Sequence, residues 1–324
     1  MPNYFNPRTW FTRWSERRNA DPSQIPCSLV SCTRAKSFWQ RLRDRHRTRG
    51  TFLQGDFYCH HPCLEAALLN QLSRLQMMAP AQLPPNRIPL GLLMVARGKL
   101  TFIEVRAALE AQRRARYGKI GEWIEKLGFA TEHDVTAALA LQWGCPVATS
   151  VDPSTVQSLG NIPLPILEAF QMLPLNYAAA TNTLYIAFGE RVDHAALYAI
   201  EKILSCRTQP CVAGRKSIAR RLDSMRQLPR PNDVEFGPMS DLAEMARIAA
   251  SYTSRLAPEE VRLSRIGRFI WLHLNLSSAS RTAARQKLHL AAVNLTFRLQ
   301  PSSPRALHYA PSSHELHPLP PEIT

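Results

Sequence analysis

The sequence predicts an α+β multidomain chain. A tandem helical-repeat lobe and a small α/β lobe are flanked by a small Cys-rich N-terminal module and a C-terminal helix–hairpin module. Three observations predict it. The stretch from Pro89-Leu90-Gly91 to Gln112 returns thirty positions later as Lys119-Ile120-Gly121 to Gln142. Strand-like runs and helix caps alternate between Met172 and Met225. Four of the seven cysteines fall into two short-spaced pairs. With 324 residues, 45% of them hydrophobic, the chain has room for two or three compact domains with cores of their own.

Residues 1–24 read as a disordered basic arm. The formal charge is +15, and residues 1–50 hold eleven Arg or Lys against three acidic residues, more than half of the excess. The run from Arg41 to Arg49 lies beside Phe38 and Trp39. Cations interleaved with aromatic rings suit phosphate contact and base stacking, which makes nucleic acid a candidate partner; a solvated basic face is the plainer alternative.

Residues 25–77 form the Cys-rich module with its following helix. Cys27 and Cys32 are separated by four residues, Cys59 and Cys63 by three. Two such pairs can converge on one tetrahedral zinc, because thiolate ligands need only local knuckles and no large core. Cys27, Cys32, Cys59 and Cys63 are the candidate ligands, with His60 or His61 as a substitute for one thiolate and unrelated buried thiols as the alternative. Tyr58-Cys59 to Cys63, ahead of a helix from Leu64 to Met77, is similar to the second knuckle of small treble-clef-like fingers. Nothing indicates export, so a disulfide framework is not expected. Cys145, Cys206 and Cys211 are expected in the core.

Residues 78–87, with three prolines, form a linker into the repeat. Each copy reads as a short helix, a turn and a longer helix. Gly98 and Gly128 stand just past the short helices, where a left-handed residue ends a helix at least cost. Thr101 to Glu104 is a capping box, and Thr131 to Asp134 is a weaker one. Val105-Ala108-Leu109 and Val135-Ala138-Leu139 then lay an apolar stripe along each long helix, which by spacing alone is a core face.

Residues 151–226 read as the α/β lobe. Asp152-Pro153 opens a short helix that stops near Gly160. Met172–Tyr177 and Thr183–Phe188 are strands around a Thr-Asn turn, Asp193 caps a helix running to Ser205, Thr208–Val212 is a third strand, and Ser217–Met225 a closing helix. Residues 227–239 read as a Pro-rich linker. In residues 240–299, Ser240 caps a helix to Leu256, Val261–Ile266 and Phe269–Leu274 form a hairpin around Gly267-Arg268, and Leu290–Leu299 adds a strand. Residues 300–324, rich in proline, read as a disordered tail.

No string in the chain matches a phosphate loop, G-x-x-x-x-G-K-[ST], and no HExxH, Gly-x-Ser-x-Gly or Ser-His-Asp arrangement occurs. An enzyme is therefore not expected. No run of eighteen apolar residues and no signal-peptide apolar region is present, so no membrane insertion and a cytoplasmic location are expected.

The tandem pattern of x-Leu-Gly, then Gly, then Leu and Gln resembles the N-terminal domain of type II secretion and type IV pilus extension ATPases, the GspE/MshE-type domain, over residues 88–226. Residues 88–150 correspond to its tandem-motif lobe. The resemblance implies docking to a secretion or pilus machinery protein. In members that bind cyclic di-GMP it also implies a ligand cradle made of apolar side chains, glycines, and Arg and Gln groups. Matched by position, those residues are Leu90, Gly91, Met94, Val105, Leu109 and Gln112, then Lys119, Ile120, Gly121, Ile124, Val135, Leu139 and Gln142. The chain departs from the pattern at the leading arginines, which are Pro89 and Lys119. A planar guanidinium stacks on a purine and offers a fork of donors; Lys imitates this in part and Pro not at all. The expected function is a non-enzymatic regulatory or adaptor protein that senses cyclic di-GMP. The alternatives are a protein-docking module that has lost the ligand, or a zinc-containing nucleic-acid binder.

Overall fold

A computed structural model describes residues 25–32, 50–77, 87–148, 162–230, 232–276 and 292–300. The basic arm, the Arg-rich run to Arg49, most of the first linker, the helix expected after Asp152 and the Pro-rich tail lie outside the described residues. The described residues are mixed α and β: nine helices, one 3₁₀ turn and nine strands in two sheets.

The helices are α1 (His61–Met77), α2 (Leu90–Ala96), α3 (Phe102–Ala115), α4 (Ile120–Lys126) and α5 (Glu132–Trp143), followed by α6 (Leu164–Ala169), α7 (His194–Leu204), α8 (Arg215–Arg226) and α9 (Leu242–Leu256). The strands are β1 (Thr51–Leu53), β2 (Asp56–Tyr58), β3 (Met172–Ala178), β4 (Thr183–Phe188), β5 (Arg207–Val212), β6 (Asp233–Met239), β7 (Glu260–Ile266), β8 (Phe269–Asn275) and β9 (Ala292–Leu299).

The larger sheet has the order β2-β1-β7-β8-β9-β6. Residues expected to form two separate modules, 25–77 and 240–299, are joined in it: β1 runs parallel to β7, with Phe52 opposite Glu260 and Leu53 opposite Val261. Helices α1 and α9 pack on each other over one face, where Leu64, Leu68 and Leu72 meet Met245, Ala249, Leu263, Leu272 and Leu295 in a single core. Neither segment alone covers its apolar side, so the union follows from burial. The strand period of two sends the alternate residues Ile266, Phe269 and Trp271 to the opposite face and into the core of the α/β lobe.

The expected second linker contains an element. Strand β6 lies within residues 227–239 and pairs in parallel with β9, with a register shift between Phe236 and Pro238. Pro238 is tolerated because β6 is an edge strand, where a missing N–H breaks no ladder on the open side. Asp241, one residue past the expected Ser240, caps α9 by accepting from Ala243 N at 2.8 Å. On the α7 face, Asn294 Oδ1 accepts from Trp271 Nε1 at 2.9 Å and sits 2.9 Å from His273 Nδ1, while its amide donates to Asp233 at 2.8 Å. Burial holds the His273 imidazole below its ordinary pKa, which keeps it neutral within this network.

The smaller sheet, β3-β4-β5, has an antiparallel pair and then a parallel one. Its core includes Phe188, Ile200, Ile203, Ile218 and Val212. The chain leaving α5 docks on β5, where Ala148 N donates to Val212 O at 2.7 Å and Val212 N to Pro146 O at 2.9 Å. That pairing sets the helical lobe against the ends of β4 and β5. At the far end of α7, Arg262 donates to Ile203 O at 3.0 Å, placing a cation at the helix C-terminus.

Candidate functional site

Both copies of the repeat form the same unit, because the local signals are the same. Thr101 Oγ1 accepts from Glu104 N at 3.3 Å while Glu104 accepts from Thr101 N at 2.7 Å. Asp134 completes an equivalent box with Thr131, each bond 3.2 Å long. Lys99 adds an ion pair to Asp134 at 2.8 Å, and it is the leading reason that this carboxyl titrates well below the usual range. Gly98 and Gly128 have φ of +66° and +72°, which a side chain would resist.

The copies then exchange partners. Short helix α2 packs on α5, and short helix α4 on α3. Glycine makes the approach within each copy possible: a Cβ on Gly91 would lie 2.8 Å from Val105 Cγ1, and one on Gly121 would lie 3.0 Å from Val135 Cγ1. Met94 and Ile124 are fully buried in the shared core with Leu100, Ala108 and Ala138. The two glutamines close the ring reciprocally. Gln112 Nε2 donates to Gly118 O at 2.9 Å, just ahead of α4, and Gln142 Nε2 donates to Ile88 O at 2.7 Å, just ahead of α2.

A cavity of about 470 Å³ opens where this lobe meets the α/β lobe. Leu90, Gln112, Lys119, Ile120, Gly121, Val135, Leu139 and Gln142 line it. Gly91, Met94, Val105, Leu109 and Ile124 do not; four of them are buried in the repeat core, and Leu109 is on the part-exposed outer side. The cavity therefore favours the second copy and is not shared equally between the two motifs. Its other wall comes from the α/β lobe: Gly189, Glu190 and Arg191 after β4, and Arg215 after β5.

Charged groups bridge the two walls. Lys119 pairs with Glu190, and Arg215 pairs with Glu122 at 2.6 Å. Lys216 lies 3.5 Å from Glu125 and 3.6 Å from Glu132. Gly214, which has no side chain to cap with, stands at the N-cap of helix α8; Glu132 of α5 caps it from across the cleft, accepting from Lys216 N at 2.8 Å. An anion-accepting helix end is thus already held by a carboxylate. Arg87 and Arg116, the arginines nearest Pro89 and Lys119, do not line the cavity. Arg87 stacks 3.4 Å over the Trp143 ring and donates to Gln142 O at 3.2 Å; Arg116 is the left-handed cap of α3 and does not line the cavity.

Glu190, Arg191 and Arg215 lie outside the repeat, and Glu132 lies within it at a position the tandem motif does not mark, so none is among the site residues that the sequence suggests. A signal was present. Gly189-Glu190-Arg191 and Gly214-Arg215-Lys216 follow the ends of two parallel strands, the place where open α/β sheets hold ligands.

The four cysteines form a second cluster. The sulfurs of Cys27, Cys32, Cys59 and Cys63 all lie within 4.8 Å of one another, with Cys32 and Cys59 Sγ at 3.6 Å. His60 Nδ1 is 3.0 Å from Cys59 Sγ, whereas His61 turns to Glu65 at 3.6 Å. Burial and the adjoining thiols push Cys59 up to about 12, and Cys63 is raised for the same reasons. Cys206 and Cys211 are core residues, and Cys145 packs at its margin.

No helix among the described residues is long and apolar enough to cross a membrane. No family model and no curated protein matches the chain. Solved structures similar to it include MshE with cdg, 25% identical, with a TM-score of 0.35, covering 43% of this chain and 99% of that one. The N-terminal domain of XpsE is also similar in two crystal forms, each 16% identical. One covers 41% of this chain and 91% of that one with a TM-score of 0.31, the other 45% and 98% with a TM-score of 0.26. The likenesses to MshE and to the XpsE N-terminal domain each span a little under half of this chain.

Proposed function

We propose that this chain is a non-enzymatic regulatory or adaptor protein of a secretion or pilus machine, and that it takes a cyclic purine dinucleotide of the cyclic di-GMP type between its repeat lobe and its α/β lobe. The observation that carries the reading is the cavity itself. Its floor is apolar, from Leu90, Ile120, Val135 and Leu139, and its volume of about 470 Å³ falls in the range of ligand sites. Its rim holds Lys119, Arg191 and Arg215 beside the start of α8, groups that suit phosphates. Glu122, Glu125 and Glu190 supply acceptors for the N–H edge of guanine.

Binding on this reading is an exchange. Ligand phosphates draw Lys119 and Arg215 away from Glu190 and Glu122, and so alter the bridge between the lobes. A docking module without ligand is the second reading, favoured by Pro89 at the first arginine position and by the Lys119–Glu190 pair across the cleft. Calorimetric titration of the full chain with cyclic di-GMP separates the two. The sensor reading expects saturable heat and a loss of about tenfold in affinity for Arg215→Ala. No heat up to millimolar ligand sinks it in favour of docking.

A further inference from the structure

We propose that Cys27, Cys32, Cys59 and Cys63 form a structural zinc centre that fastens residues 25–32 to the β1–β2 hairpin and helix α1. The geometry is that of a tetrathiolate site. Zinc–sulfur bonds of about 2.3 Å in a tetrahedron set the sulfurs about 3.8 Å apart. Cys32 and Cys59 Sγ stand at 3.6 Å, and all four sulfurs lie within 4.8 Å of one another. A disulfide needs about 2.05 Å, well short of the 3.6 Å between Cys32 and Cys59 Sγ.

Three pieces of chain meet at the cluster. Cys27 and Cys32 bracket a turn closed by Cys32 N donating to Leu29 O at 3.1 Å; Cys59 follows β2; Cys63 lies in the first turn of α1. A knuckle, a hairpin and a helix that supplies the last ligand make up a treble-clef arrangement, as the spacing of the second pair suggests.

The surroundings explain why a metal is needed there. Of residues 25–32, Cys27, Leu29 and Cys32 pack on the core, while Val30 is wholly exposed. One leucine does not offset the entropy of ordering this segment. Ser28 N also ties it to the hairpin, donating to Phe57 O at 2.8 Å. Strand β1 is only three residues long, yet it is the link between the hairpin and β7. Binding exchanges up to four S–H protons, released to solvent, for four Zn–S bonds, with no change of oxidation state. His60, beside Cys59 and Cys63, supports the thiolates from outside the ligand set.

The test uses the full chain purified without chelator. Elemental analysis is expected to find stoichiometric zinc, and cobalt exchange to give the intense absorption of tetrahedral cobalt thiolate. Chelation is expected to expose four further thiols and to raise hydrogen exchange in β1, β2, α1 and β7 while leaving α2–α5 unchanged. Cys59→Ser should lose the cobalt signature and His60→Ala should keep it. If the serine variant fails to fold, the zinc content and cobalt spectrum of the parent chain decide. Zinc near zero after incubation with the ion, or no tetrahedral cobalt spectrum, overturns the proposal. Loss of the spectrum in His60→Ala but not in Cys27→Ser overturns the ligand set.

Discussion

Replacing Gly91 by alanine opposes two effects of known size. In an exposed helix the change gains about 1 kcal/mol, because glycine loses the most backbone entropy. Here the new methyl lands 2.8 Å from Val105 Cγ1 and 3.4 Å from Cγ2. Val105 is β-branched and buried in α3, so it has one favoured rotamer and no room to turn. Relief must come from separating α2 from α3, an overpacking cost of about 1–3 kcal/mol. The net expectation is a loss of up to about 2 kcal/mol in the repeat lobe. Gly121→Ala is milder, since its nearest contact is 3.0 Å, from Val135, and the next is 3.5 Å, from Leu90. Val105→Ala added to Gly91→Ala should restore part of the loss, the coupling expected of touching residues. Several cores in one chain do not melt as one, so the readout is hydrogen exchange on peptides of α2–α5 in the full chain. Slower exchange in Gly91→Ala than in the parent would mean that the helix gain is unopposed and the close approach is not real. The opposite order for Gly91 and Gly121 would refute the distance argument.

Burial raises both Cys206 and Cys211 to about 11, against a model-peptide value near 9, so the folded state favours the neutral thiols. Their contribution is full below about pH 9 and falls as pH rises towards 11. Replacing both by alanine should therefore flatten the stability profile in that window, checked by denaturation at stepped pH, and an unchanged slope would contradict the assignment. Asn294→Leu orphans the buried Trp271 indole N–H and the groups on His273 and Asp233 that Asn294 now satisfies. At about 1–3 kcal/mol for an orphaned buried group, a loss of about 3 kcal/mol is expected. Undiminished protection of β8 and β9 in hydrogen exchange would rule it out.

The repeat was legible because its signals are local. Thr101 and Glu104 cap the helix they begin, Thr131 and Asp134 repeat the device, and Gly98 and Gly128 end the short helices. The hairpin around Gly267-Arg268 and the caps at Asp193 and Thr101 were legible for the same reason. The joining of residues 25–77 to residues 240–299 in one sheet was not. Strands β1 and β2 have three residues each, too few to show a period of two, and β1 pairs with a strand some two hundred positions away. Strand β6 was hidden by Pro238, which reads as a breaker unless the strand is known to lie at an edge.

The sequence by itself determined the paired motifs, their caps, and the grouping of four cysteines in two pairs. Each of these follows from residues within a few positions of one another, where backbone geometry leaves few choices. Only the tertiary structure decided what those groups face. Gln112 and Gln142 hold backbone carbonyls and rim the cavity at once, Glu132 caps a helix eighty positions on, and the cavity takes one wall from turns after β4 and β5. These contacts exist because the chain after α5 adds to β5 and draws the two lobes together. Such contacts carry no signature in the spacing of neighbouring residues, since they depend on which apolar faces remain to be covered once each local element has formed.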